Sequence, residues 1–178
     1  MPKKIIFKIV VLEDGKEKFS ENLSYEAASN IVSNFPDRIE SNEFFLLAAQ
    51  HPASTVRENV AYKDKLTSDV VEILANDGSV AVLRNLVRSN AFRETASQDL
   101  LEKLISLDVE IAQSIAGSVE SFEQADANKL AAAIATHEDP SVVSSLAGNY
   151  STPKKILKTL INHPDPYVAS EAKSRLDD

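Results

Sequence analysis

There is no cysteine anywhere in the 178 residues. That one absence excludes disulfides, thiolate metal sites, iron–sulfur clusters and a cysteine nucleophile. Tryptophan is also missing, and only four glycines are present. Gly15, Gly78, Gly117 and Gly148 all fall where turns are expected, so none is left for a phosphate-binding loop. Long apolar runs are lacking too. The most apolar stretch, Ile5–Leu12, is broken by Lys8 and is far shorter than the ~20 residues needed to cross a bilayer. Lys3-Lys4 before it has the look of a signal-peptide start, but Glu13-Asp14 stands where a small-residue cleavage site should lie. The stretch reads as a strand, no membrane partner is expected, and the expected location is cytoplasmic.

Charge is present in excess of one sign. Asp and Glu number 27 against 19 Lys and Arg, a formal charge of −8 that argues against nonspecific binding to nucleic acid or anionic lipid. Hydrophobic residues make up 43% of the chain, enough at this length for a real core.

The apolar pattern begins with a β signature. Residues 4–13 are rich in β-branched and apolar side chains, Asp14-Gly15 is a hairpin turn, and Lys16–Ser20 is the return strand. A two-stranded ribbon is marginal in water, so it must pack on a helix, pair with another strand or meet a second subunit. Ser24 caps a helix whose apolar face is Ala27, Ala28, Ile31, Val32 and Phe35, and Pro36-Asp37 stops it. Residues 1–40 are therefore a ββα cap, unlike the rest of the chain.

From residue 41 to 178 the pattern is a helical repeat array. First-helix markers are Val56/Val60, Val82/Leu86, Ile111/Ile115 and Val142/Leu146, with Val168/Ala172 opening a last partial copy. Second-helix markers are Val70/Leu74, Leu100/Leu104, Leu130/Ile134 and Ile156/Leu160. The units run approximately 41–50 (partial, with Phe44, Phe45 and Ala48), 51–77, 78–108, 109–139, 140–163 and 164–178 (partial). Thr67 or Ser68, Ser97, Asp126 and Thr152, the last with Pro153 at the first helical position, cap the second helices. Gly117 and Gly148 are placed to close first helices in the left-handed conformation. A pair of short helices buries its apolar face only by stacking on its neighbours. The predicted fold is mainly α: a right-handed α-solenoid of about four to five two-helix repeats behind a small N-terminal ββα cap.

The pattern Asn149-x-x-Thr152-Pro153-x-x-Ile156-Leu157-x-x-Leu160-x-x-His163-Pro164-Asp165-Pro166-x-Val168 resembles the leucine-rich repeat variant family. It is close over 140–168 and recognisable at 51–77, where His51-Pro52 leads to Val56-Arg57 and Val60-Ala61. The units at 78–139 are longer and closer to a HEAT-like helical pair. The resemblance implies a right-handed superhelix of short units and an interaction role. The founding type of that family carries an iron–sulfur cluster on N-terminal cysteines, which this chain does not have; no cofactor is expected.

No motif points to catalysis or to a metal, and the chain reads as a non-enzyme. His51, His137 and His163 each lie five residues before the next first-helix marker, as does Asp77. A residue recurring at one repeat phase is turn hardware, an imidazole suited to donating to free carbonyls at a helix end. The sharpest metal alternative pairs His137 with His163, with Glu138, Asp139 and Asp165 supplying oxygens. Carboxylate pairs such as Asp64/Asp69, Glu120/Glu123 and Asp177/Asp178 read as solvated surface.

The functional signal lies where units depart from the template. The interval between markers is 10 residues from Val60 to Val70 and from Leu146 to Ile156, but 14 from Leu86 to Leu100 and 15 from Ile115 to Leu130. The extra residues fall in Ser89–Thr95 and Ser118–Ala125 and carry Phe92 and Phe122. No acid occurs between Gly78 and Arg93, where Arg84 and Arg88 share a helical face, whereas 108–139 holds seven acids against Lys129 alone. The expectation is a protein-binding scaffold, adaptor or inhibitor that uses the concave face and an edge of the middle repeats. Arg84, Arg88, Phe92, Arg93, Phe122 and Glu123 are the contact residues, the alternative for Phe92 and Phe122 being that both fold inward to plug the lengthened turns. Nucleic-acid engagement through the arginine stripe is the alternative, or an acidic protein occupying a partner's nucleic-acid site. The apolar N-terminal strand adds a homodimer expectation.

Overall fold

The computed structural model describes residues 5–177, and its contacts divide the chain into two compact units that meet between Ala91 and Phe92. The fold is mainly α, a helical-repeat protein with a ββα cap. The first unit opens with an antiparallel hairpin, β1 (Lys8–Glu13) and β2 (Lys16–Asn22). Asp14 and Gly15 both take positive φ, 49° and 75°, as a two-residue type I′ turn requires; glycine makes the second position free of strain. Lys4, where the sequence places the start of the strand, lies outside the described residues, and pairing starts at Lys8.

The helices of the first unit are α1 (Tyr25–Asn34), α2 (Asn42–Ala48), α3 (Ser54–Ala61), α4 (Ser68–Ala75) and α5 (Val80–Leu86), with a 3₁₀ turn at Ile39–Ser41. Ser24 caps α1 as expected, its Oγ accepting from Ala27 N–H at 3.1 Å. α1 packs on α3 and α3 on α5, while α2 packs on α4. The cap helix is thus also the opening member of the first-helix row. Phe7, just before β1, ties the ribbon down: its ring lies 5.3 Å from that of Phe44 and 5.4 Å from that of His51. Phe44 stacks in turn on Phe35 at 4.1 Å.

Helix α6 (Asn90–Thr95) carries the junction, and the second unit continues with α7 (Gln98–Ile105), α8 (Val109–Ala116), α9 (Ala127–Ile134), α10 (Pro140–Gly148), α11 (Lys154–Leu160) and α12 (Pro166–Asp177). A 3₁₀ turn occupies Val119–Ser121. Here α8, α10 and α12 stack in one row and α7 and α9 in the other. These helices are too short to persist alone, so packing holds them. Every first-helix marker, from Val56 to Ala172, is 0% exposed.

Polar side chains join successive layers. Three residues after Val60, the buried Lys63 donates to Ser33 O at 2.8 Å and Phe35 O at 2.9 Å, carbonyls at the end of α1. Asn149, at the same phase after Leu146, donates to Ala116 O at 3.1 Å. These bonds satisfy carbonyls that a helix end leaves open.

Three details of the helix ends differ from expectation. Gly117 is right-handed and Gly148 is the last residue of α10; neither has positive φ. The helices close instead by tightening, with Ser118 N–H donating to Ile115 O and Asn149 N–H to Leu146 O, both at 3.1 Å. Thr152 does not cap α11 but donates its hydroxyl to Leu146 O at 2.5 Å, and Pro153 precedes the helix rather than opening it. Thr67 turns its hydroxyl to Asp69 and Asn42. Ser97 and Asp126 do cap, accepting from Leu100 N–H and from Asn128 and Lys129 N–H.

Candidate functional site

The two insertions fold inward. Phe92 is 0% exposed and Phe122 3%, their rings meeting edge-to-face at 6.2 Å, and Glu123 N–H donates to Arg93 O at 3.1 Å. Of the two directions the sequence leaves open for these rings, exposed anchors or inward plugs, the structure has the inward one, so Phe92 and Phe122 are not exposed contact residues. A lengthened turn leaves a gap beside the helix ends, and burying a phenyl ring fills it at a large hydrophobic gain. Arg93 is half-buried, with an Nε that has neither solvent nor a hydrogen-bond partner among the described residues. Glu123 is exposed. The structure thus brings Phe92, Arg93, Phe122 and Glu123 together in the second unit, as a plug rather than a contact patch. Arg84 and Arg88 belong to the first unit. Arg84 is half-buried on α5; Arg88 is exposed and lines a shallow hollow of about 170 Å³ with Tyr62, Asp64 and Asn85.

The recurring histidines act in turns, but not as donors to carbonyls. Nδ1 of His51, His137 and His163 accepts from the backbone N–H two residues on, Ala53, Asp139 and Asp165, at 3.0 to 3.1 Å. Accepting at Nδ1 requires a ring unprotonated there, leaving the proton on Nε2. Asp77 reproduces the bond with a carboxylate, Oδ1 accepting from Ser79 N–H at 2.8 Å. Burial holds His51 below its ordinary value of 6.5, with Arg57 adding to the effect.

A clamp that sequence spacing does not reveal sits beside it. Arg57 pairs with Asp77 through two parallel bonds, Nε to Oδ2 at 2.6 Å and Nη2 to Oδ1 at 3.0 Å. Its Nη1 donates to the carbonyls of His51 and Pro52 at 2.8 and 3.1 Å. Little of either side chain is exposed, 18% for Arg57 and 6% for Asp77, and the carboxylate holds the guanidinium still more firmly protonated. These bonds use the groups' hydrogen-bonding capacity within the fold, so the clamp is structural.

An open groove of about 580 Å³ lies wholly in the second unit. One wall is the α7–α8 turn, Ile105 to Val109; the other is the end of α9 and its turn, including Ala133, Thr136, His137 and Glu138. Leu107 is 52% exposed and Val109 39%. Several of the polar atoms inside are already committed. Ser106 Oγ donates to Lys103 O and Thr136 Oγ1 to Ala133 O, each at 2.9 Å, and Asp108 Oδ1 accepts from Ile111 N–H at 3.1 Å. His137 retains only Nε2. The lining holds three carboxylates, Glu102, Asp108 and Glu138, and no lysine or arginine. The sequence signals for it are the acidic bias of 108–139 and the unusual placing of Leu107 and Val109 on either side of Asp108. The two walls come from different layers, and neither alone looks like a site.

Chemically the groove offers apolar surface and negative charge. Among the described residues no group of three or more His, Asp or Glu is arranged to hold a metal ion. Also among them, no helix is long and apolar enough to cross a membrane. No family model matches the chain, and no curated protein does. A solved structure described as an engineered protein is similar at 17% identity, covering 85% of this chain and 90% of that one, with a TM-score of 0.45. A likeness at that level carries no argument.

Proposed function

We propose that this chain is a non-enzymatic module that binds another protein, seating a basic, partly apolar segment of that partner in the groove between Leu107 and Glu138. The observation that carries the reading is the composition of the groove: exposed Leu107 and Val109 beside Glu102, Asp108 and Glu138, with no cation in the lining. A small-molecule pocket orients its ligand with converging free polar groups. Here the hydroxyls of Ser106 and Thr136 and Nδ1 of His137 are already bonded within the fold. What remains favours a segment that pairs Lys or Arg with apolar side chains, the anchor chemistry of peptide docking. The resemblance of 140–168 to leucine-rich repeat variants supports an interaction role.

Nucleic-acid engagement through arginines is less supported. Arg88 shares its hollow with Asp64, Arg57 is held by Asp77, and the chain carries a charge of −8. Selection of random displayed peptides against the whole protein tests the proposal. Enriched peptides should combine basic and aliphatic residues and lose binding to a Glu102→Lys, Glu138→Lys variant that melts like the parent. Enriched peptides that bind the variant equally well would contradict it.

A further inference from the structure

The hairpin is the part of the molecule least covered by the rest. Every residue of β1 is exposed, as is all of β2 except the half-buried Ser20. Ile9, Val10, Val11, Leu12 and Phe19 each keep between 43 and 61% of their surface open. A strand that faces water on one side alternates apolar with polar; the centre of β1 is apolar on both faces. That composition belongs to a strand within a wider sheet.

The backbone shows which way the sheet can grow. Leu23 N–H donates to Phe7 O at 2.8 Å, so the main-chain groups of Phe7 face β2. Antiparallel alternation then turns those of Ile9 and Val11 toward β2, and those of Lys8, Val10 and Leu12 outward. The bulge falls on β2, where the register steps from Phe19 to Glu17 while β1 steps from Val11 to Leu12. The outer edge of β1 is therefore regular, carries no proline, and has charge only at its ends, Lys8 and Glu13. Devices that usually block edge pairing are missing along its centre.

We infer that the occupant of this edge is β1 of a second copy, antiparallel about a two-fold axis at Val10. The strand is polar in charge, with Lys8 at its start and Glu13-Asp14 at its end. Antiparallel self-pairing keeps the two Lys8 side chains at opposite ends of the pair, each facing an apolar Leu12; parallel self-pairing would set Lys8 against Lys8 and Glu13 against Glu13. The axis at Val10 puts Val10 opposite Val10, Ile9 opposite Val11, and Lys8 opposite Leu12, while Glu13 points to the other face and is held by Lys18 of its own hairpin at 2.7 Å. All three outward-facing residues are then paired, and Ile9, Val11 and Phe19 of both copies join on one face of a four-stranded sheet. The interface is isologous, as a closed dimer requires. It is independent of the groove reading, since the hairpin is in the first unit and the groove in the second.

Sedimentation of the whole protein from micromolar to several hundred micromolar should show twice the mass of one chain. Val10→Pro removes an outward N–H that β2 does not use, and an edge strand tolerates proline, so this variant should be monomeric with an unchanged circular dichroism spectrum. Leu12→Lys should raise the dimer dissociation constant about tenfold by setting a second ammonium directly opposite Lys8 of the other copy at both ends. The absence of cysteine gives a third readout that needs no loss of folding. Val10→Cys should be joined to its own copy by a short bis-maleimide, whereas Lys16→Cys should not. A monomer throughout the range, a dimer indifferent to Leu12→Lys, or equal cross-linking of the two cysteine variants would overturn the inference.

Discussion

His51, His137 and His163 do one job with one atom, holding the N–H two residues ahead on Nδ1. Their shared phase was legible in the sequence, because a spacing of five residues to the next marker repeats. The direction of the bond was not, because either a donor or an acceptor fits a helix end. Burial adds a consequence at His51. Its folded value lies below 6.5, so between the two values the unfolded chain binds a proton that the folded chain refuses. Stability from this residue is complete above about pH 6.5 and is lost as the pH falls toward the folded value. Urea midpoints at about pH 8 and about pH 5.5 should diverge less in His51→Asn, since asparagine accepts the same kind of bond without titrating, as Asn149 does from Ser151 N–H at 2.9 Å. An equal divergence would remove His51 as the cause. Asp77→His tests the neighbouring clamp: it keeps an acceptor for Ser79 but leaves Arg57 without a carboxylate, and should cost about 3 kcal/mol in urea unfolding. Arg57 and Asp77 are plain in the sequence, but a pair on one layer alone has no period to reveal it.

At the scale of elements, helix pairing and the positions of both insertions could be read from marker spacing, while the direction of Phe92 and Phe122 could not. Whether a ring in a lengthened turn faces in or out depends on what the adjacent layer offers, and here each ring offers its edge or face to the other. Phe92→Ala should destabilise the protein by about 3–5 kcal/mol in chemical unfolding. The double cycle with Phe122→Ala should show coupling of about 1 kcal/mol. A loss below about 1 kcal/mol would mean that the ring is not part of the core. Helix ends were the least legible element. Thr152 and Thr67 have the right side chains for caps, yet each finds another partner, Leu146 O for the first and Asp69 with Asn42 for the second. Local preference proposes a cap, and the turn that actually forms decides it.

For the molecule as a whole, a repeated helical pair was visible because the first helix of every layer buries the same two positions. The groove was not, because its walls, Ile105 to Val109 and Ala133 to Glu138, come from successive layers and meet only after stacking. Its acidic lining makes a salt prediction: affinity for a selected basic peptide should fall as ionic strength rises toward physiological values, and Leu107→Asp should weaken binding even at low salt. Salt-independent binding would assign recognition to apolar contact alone. The most direct test of groove recognition is an amide chemical-shift map of the whole protein titrated with such a peptide. The largest changes should cluster at Ile105 to Val109 and Ala133 to Glu138. Changes centred on Arg84 and Arg88, or on the hairpin, with that groove undisturbed, would contradict it.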